Sequence, residues 1–274
     1  MRRQHLGRWI LTAVLIVFGV VMLAPLVWLV SESLTKETSA FYLPPSWIPR
    51  DPTLENFSAM AELIPFGRMF LNSVIVSVTA TAGALLVSLM AAYAFSRLRF
   101  RFREGMFALM LAALMVPMQM TIIPVFFLMR NLGLVDTLGS LILPALINVF
   151  AIFFFRQYFN SIPRELDEAA TLDGAGHGWI LFRMLIPLSG PAIAAMTILN
   201  FEATWNNYFG PLIFLRTEER MTLPLGLVTL QAGQSGSSVV VFAAITAVVV
   251  PALVVFLLFQ RAFISSVATA GVRG

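Results

Sequence analysis

Residues 161–178 read Ser161-Ile-Pro-Arg-Glu-Leu-Asp-Glu-Ala-Ala-Thr-Leu-Asp-Gly-Ala-Gly-His-Gly178, a polar island in a strongly apolar chain. Ser161 stands where a side chain can cap a helix, Pro163 suits the first turn, and Glu165, Asp167 and Glu168 favour the positive end of the helix dipole. Gly174 then offers a residue that takes a left-handed conformation without penalty, and Gly176 and Gly178 extend the break before Trp179 opens the next helix. The stretch predicts a short helix, a sharp turn and a second helix. A helix this short is unstable alone in water and needs something to dock on. Leu166, Ala169, Ala170 and Leu172 give it a small apolar face ringed by acids. Anionic headgroups repel such a ring, so a cleft in a cytoplasmic subunit is the better match.

Outward from this island the chain is made of apolar runs. Of 274 residues, 59% are hydrophobic and only 12% charged, against roughly 25% charged in soluble domains. Runs near 9–30, 69–95, 105–129, 138–155, 180–201 and 239–259 are each long enough, the fourth barely, to cross a bilayer as a helix. They predict a single all-α membrane domain over 1–274 with six transmembrane helices and residues 161–178 as a cytoplasmic loop. The first run is too long for a signal-peptide core and lacks a cleavage site, so it reads as a retained span. Six spans put both termini on one side. Placing that side inside collects Arg2, Arg3, Arg8, Arg97, Arg99, Arg101, Arg103, Arg156, Arg164, Arg183, Arg261 and Arg273, twelve of the eighteen basic residues. The positive-inside bias therefore predicts cytoplasmic termini. The segment 31–68, with Pro44, Pro45, Pro49, Pro52 and Trp47, reads as an ordered outer excursion with a short helix near Leu54–Leu63.

Several chemistries are excluded. The net charge of +4 is spread between apolar runs and forms no nucleic-acid patch. There is no cysteine, and the only histidines are His5 and His177, so no thiolate or histidine metal site is expected. No glycine-rich phosphate loop ends in Lys-Ser or Lys-Thr, so ATP binding is not expected here. The spans lack a Ser–His pair, an Asp pair or metal ligands, which argues against an enzyme. Gln119, Asn148, Asn200, Glu202 and Asn206 are polar groups in or beside spans. They are candidates for a solute path, with helix-to-helix bonding as the other reading. An ion-coupled secondary transporter would need intramembrane acids, and only Glu202 offers itself.

Glu168-Ala-Ala-x-x-Asp-Gly-Ala175, followed by Ile186-Pro187-Leu188 and Pro191, resembles the EAA loop of permease subunits in bacterial ATP-binding-cassette (ABC) importers. The resemblance extends to Asn72-Ser73, Ala92-Tyr93-Ala94-Phe95, Leu132-Gly-Leu-Val-Asp-Thr137, Trp205-Asn-Asn, Thr222-Leu-Pro-Leu-Gly226, Phe259-Gln-Arg and Ala270-Gly-Val-Arg-Gly274. It covers nearly the whole chain and is similar to the second permease of the maltose-type, carbohydrate-uptake branch. Asn207 departs from the acidic residue that many relatives carry. The resemblance implies a type I ABC importer permease fold in the bacterial cytoplasmic (inner) membrane. It implies that Glu165, Glu168, Ala169, Ala170, Asp173, Gly174 and Pro187 couple the chain to an ATPase. It further implies a second homologous permease, two copies of a nucleotide-binding ATPase that holds ATP and Mg, and an extracytoplasmic solute-binding protein. The implied cargo is a sugar or sugar derivative, with a non-sugar solute such as a glycerophosphate compound as the alternative.

Overall fold

The computed structural model describes residues 2–36, 47–49, 51–232 and 237–271, with side chains for 8–36, 47–49, 51–232 and 237–260. Pro44, Pro45, Arg50 and Val272-Arg273-Gly274 lie outside the described residues, as do the side chains of Arg2, Arg3, His5, Arg261 and Ala270. The elements are helical: α1 (Arg2–Ser33), α2 (Glu55–Leu63), α3 (Phe66–Arg97), α4 (Arg103–Ala112), α5 (Met118–Asn131), α6 (Gly139–Ala145), α7 (Val149–Ser161) and α8 (Glu165–Leu172). They continue as α9 (His177–Trp179), a π-helical turn (Ile180–Leu185), α10 (Ile186–Leu188), α11 (Gly190–Trp205), α12 (Phe209–Phe214), α13 (Leu223–Ala232) and α14 (Ser238–Gly271). Among the described residues the only extended pairing is an isolated bridge between Thr35 and Pro52.

Among the described residues, four helices are long and apolar enough to cross a membrane: Arg8–Ser33, Phe66–Arg97, Gly139–Ser161 and Ser238–Gln260. Two bent pairs raise the number to six if each is one span: Arg103–Met115 with Met118–Asn131, at 104°, and His177–Leu188 with Gly190–Trp205, at 80°. The run over 105–129 is thus not one straight helix. Proline disfavours helical backbone in the residue before it. Val116, before Pro117, is accordingly extended at φ −87°, ψ 116° and ends the first half. The second bend falls at Ser189, just before Gly190 and Pro191, where φ is −95° and ψ 15°. Buried Ser189 donates both its amide (3.0 Å) and its hydroxyl (2.7 Å) to Leu185 O, so the last carbonyl-bonded turn before the bend is doubly held.

The chain divides into two compact units. Residues 1–67 and 226–250 form the first. Here α1 is apolar all round and exposed, with Trp9 and Val17 more than half accessible, as expected of a helix solvated by lipid. Asn56 on α2 donates to Ser33 O and Thr35 O, both at 2.9 Å, which fixes the end of α1. Glu55–Leu63 matches the short helix expected in the outer excursion.

Residues 68–225 and 251–274 form the second unit. Its axis is α3, a proline-free helix of 32 residues. Ala80, Ala84, Ser88, Ala92 and Ser96 recur every fourth residue on α3 and are all at most 1% exposed. Small residues at this spacing let neighbouring backbones approach closely, the main source of helix packing in lipid. Leu85, Leu89 and Tyr93 join Phe155 and Phe159 of α7, Leu181 and Leu185 of the π turn and Met196 of α11 in one core. The turn at Leu132–Thr137 forms a hook. Asp136, at φ 61°, accepts at Oδ1 from the amides of Arg216 (2.8 Å) and Thr217 (3.0 Å), and Thr217 Oγ1 donates to Oδ2. These bonds hold the Asp136 carboxyl down at about 2. Because that value lies below the ordinary one, the hook is fully made above about pH 4 and weakens as pH falls through 2. Amide protection of Arg216 and Thr217 in hydrogen exchange should follow that course, and Asp136→Ala should abolish it at every pH.

Candidate coupling site and polar groups of the spans

The helix expected within residues 161–178 is α8, but it starts at Glu165 with Arg164 at the N-cap position. The expected cap at Ser161 is corrected: Ser161 ends α7 and donates to Tyr158 O at 2.7 Å. Ile162, before Pro163, is extended at φ −85°, ψ 129°, which separates the two helices. At the other end Gly174 has φ +86°. Its amide donates to Thr171 O at 3.0 Å and that of Ala175 to Ala170 O at 2.9 Å. These two bonds are the Schellman closure that requires a left-handed residue at this point.

No residue of α8 is buried. Glu165, Glu168, Ala169 and Asp173 are exposed, and Ala170 is half-buried against the core. Leu172 is 90% exposed. Pro187 is exposed on α10. The inward side of α8 is held by residues that the sequence reading had not assigned to the site. Arg97 Nε lies 2.7 Å from Asp167 Oδ2, with the arginine side chain only 5% accessible and the aspartate 18%. Arg97 also donates to Ile162 O at 2.9 Å, Arg164 donates to Ser96 O at 3.0 Å, and Tyr93 Oη lies 3.0 Å from His177 Nδ1. Burial holds the Asp167 carboxyl above its ordinary value although Arg97 and Arg164 face it. A cleft of about 440 Å³ beside this ion pair is lined by Tyr93, Arg97, Asp167, Glu168, Leu172 and His177. Arg97 read in sequence as one member of a basic run. The signal that sets it apart is its place four residues after Tyr93, beside the small-residue face of α3.

The polar groups of the spans divide. Asn148 caps α7 by accepting from the Ala151 amide at 2.9 Å, and its Nδ2 donates to Asn200 Oδ1 at 2.6 Å. Asn200 is 7% exposed and donates in turn to Met196 O at 3.1 Å. These two asparagines bond helix to helix. Gln119, Glu202 and Asn206 are exposed in this chain and are not brought together with them. The Asn72-Ser73 and Thr222–Gly226 motifs do meet. Asn72 donates to Glu219 O (2.8 Å) and Met221 O (3.0 Å), and Ser73 Oγ accepts from the Leu223 amide at 2.7 Å.

A helical membrane chain with bent spans and an exposed polar helix between two of them is the architecture of a transport permease. The family described as "Binding-protein-dependent transport system inner membrane component" matches residues 84–269, and the chain belongs to it. The arabinooligosaccharides transport system permease protein AraQ of Halalkalibacterium halodurans is 39% identical over 227 residues, 82% of this chain and 81% of that protein. The diacetylchitobiose uptake system permease protein NgcG of Streptomyces coelicolor is 34% identical over 259 residues, 93% of this chain and 85% of that protein. A solved chain from a bacterial ABC transporter involved in the import of the acidic polysaccharide alginate superposes with a TM-score of 0.79 at 26% identity, covering 96% of this chain and 98% of that one. The fold is that of an ABC permease, and the ion-coupled alternative gives way to it.

Removing one partner of a buried ion pair costs about 3 kcal/mol or more, because the other charge is left unpaired. Arg97→Ala should therefore lower the apparent Tm of the purified protein, and adding Asp167→Asn should recover part of the loss. A double variant less stable than Arg97→Ala would show that the pair is not what holds α8.

Proposed function

We propose that this chain is a permease subunit of an ATP-driven importer for a sugar or sugar derivative. It forms half of a translocation path with a second homologous permease, and two copies of an ATPase and an extracytoplasmic solute-binding protein complete the assembly. The relatives named for arabinooligosaccharides and diacetylchitobiose support the carbohydrate class. ATP and Mg belong to the ATPase in this reading, and the chain contributes mechanics.

The observation that carries the coupling role is α8 itself. An eight-residue helix with no buried residue is anchored by Arg97 and leaves Leu166, Leu172 and the carboxylates of Glu165 and Glu168 exposed. An apolar surface of that kind gains stability only against another protein. We assign Glu165, Glu168, Ala169, Ala170, Asp173, Gly174 and Pro187 to this docking, with Gly174 setting the turn. No neighbouring atom lies within 4 Å of a Cβ built at Gly174. The cost of a substitution there is therefore conformational, on the order of 1 kcal/mol. Glu168→Lys and Gly174→Asp should leave the chain inserted at normal level, while co-purification of the ATPase falls and sugar uptake is lost. Normal ATPase retention with normal uptake in both variants refutes the assignment.

Gln119, Asn148, Asn200, Glu202 and Asn206 are assigned less directly to the solute path, with exposed Gln119, Glu202 and Asn206 the better placed because Asn148 and Asn200 bond each other. The arginines at 97–103 orient both termini toward the cytoplasm in this reading. The chain has no cysteine, so Arg101→Cys is a clean probe. It should stay unlabelled by an impermeant maleimide in intact cells and become labelled after permeabilisation. Labelling from outside reverses the topology.

A further inference from the structure

We propose that α3 is a transmission rod: Arg97 ties one end of it to α8, Asn72 and Ser73 tie the other end to residues 219–223, and displacement of α8 displaces that segment. The proposal rests on the reading of α8 as the ATPase-docking helix.

At the α8 end the ties fall before, within and after the short helix. Arg97 reaches Ile162 O and Asp167, the carbonyl of Ser96 receives Arg164, and Tyr93 meets His177. All four contacts come from one turn of α3, so α8 cannot shift as a body without moving that turn or breaking several bonds at once. At the far end Asn72 and Ser73 make three bonds to the backbone of 219–223, at 2.7 to 3.0 Å. Asp136 grips the residues just before that stretch, at Arg216 and Thr217.

Between the two ends α3 contains no proline and packs its small residues tightly throughout. From Asn72 to Arg97 it spans about 37 Å at the usual helical rise. The other long paths in this unit are interrupted. Pro117 and Ser189 mark bends of 104° and 80°, and α5 and α6 contain Pro124 and Pro144. An unbroken, close-packed helix bonded at both ends transmits a push, whereas a path bent at a break absorbs it there. Arg97, Asn72 and Ser73 are then positioning residues for coupling.

The test uses the whole transporter, purified with its co-expressed ATPase from a Glu219→Cys background. Glu219 is exposed and engages Asn72 through its backbone carbonyl, and the chain has no other thiol. The rate at which a maleimide labels that thiol is measured without nucleotide and after trapping with ATP, Mg and vanadate. We expect at least a threefold change in rate on trapping. It should be lost in Arg97→Gln and in Asn72→Ala, with the ATPase still co-purifying, and partly retained in Arg97→Lys, which keeps the charge opposite Asp167. The double variant should lose no more than either single one, since both cut one linkage. A nucleotide-dependent change that survives in both single variants overturns the proposal. So does its absence from the unsubstituted background while the ATPase is bound, an outcome that leaves the docking reading standing. Failure of the ATPase to co-purify with the unsubstituted chain overturns the docking reading and the rod with it.

Discussion

Inside a bilayer a backbone carbonyl has no water to turn to, so every break in a helix must be repaired by the protein itself. Much of this structure follows from that constraint. At the break at Ser189 the serine gives its amide and its hydroxyl to Leu185 O, and the break before α7 is capped by the Asn148 side chain. The residue before Pro117 turns extended and directs the chain away at 104°. Among the described residues of the second unit, α3 is a long helix with neither an internal proline nor a break. It therefore becomes the element on which α7, the π turn and α11 pack.

The same constraint accounts for where the polar side chains go. Asn200 is nearly inaccessible and spends its amide on Asn148 and Met196. Asn72 donates its amide to, and the Ser73 hydroxyl accepts from, a neighbouring backbone segment. A buried polar group is stable only when its partners are supplied, so these residues read as structural joints first. Gln119 and Glu202, by contrast, are left exposed.

Helix α8 reverses the usual relation between burial and importance in the proposed docking role. It is too short to be stable alone, and it buries none of its own residues. Its place is fixed by an ion pair with a nearly inaccessible arginine and by a left-handed glycine that ends it. What it leaves uncovered is an apolar and acidic surface, which a second subunit can complete.

The sequence by itself determined the class of the fold, because the length and spacing of apolar runs follow directly from bilayer thickness. It also located the short helix between two spans, because proline, acidic first-turn residues and glycine act on backbone a few residues away. Gly174 was legible for that reason. Ser161 was misread as a cap because the extended residue before Pro163 separates the two helices, a local rule that outweighed the serine. Only the tertiary structure decided that Arg97 faces Asp167 and that Asn72 holds residues 219–223. Those contacts join positions 70 to 149 residues apart, and which polar group meets which at that separation is set by how the helices pack, a property that no local pattern encodes.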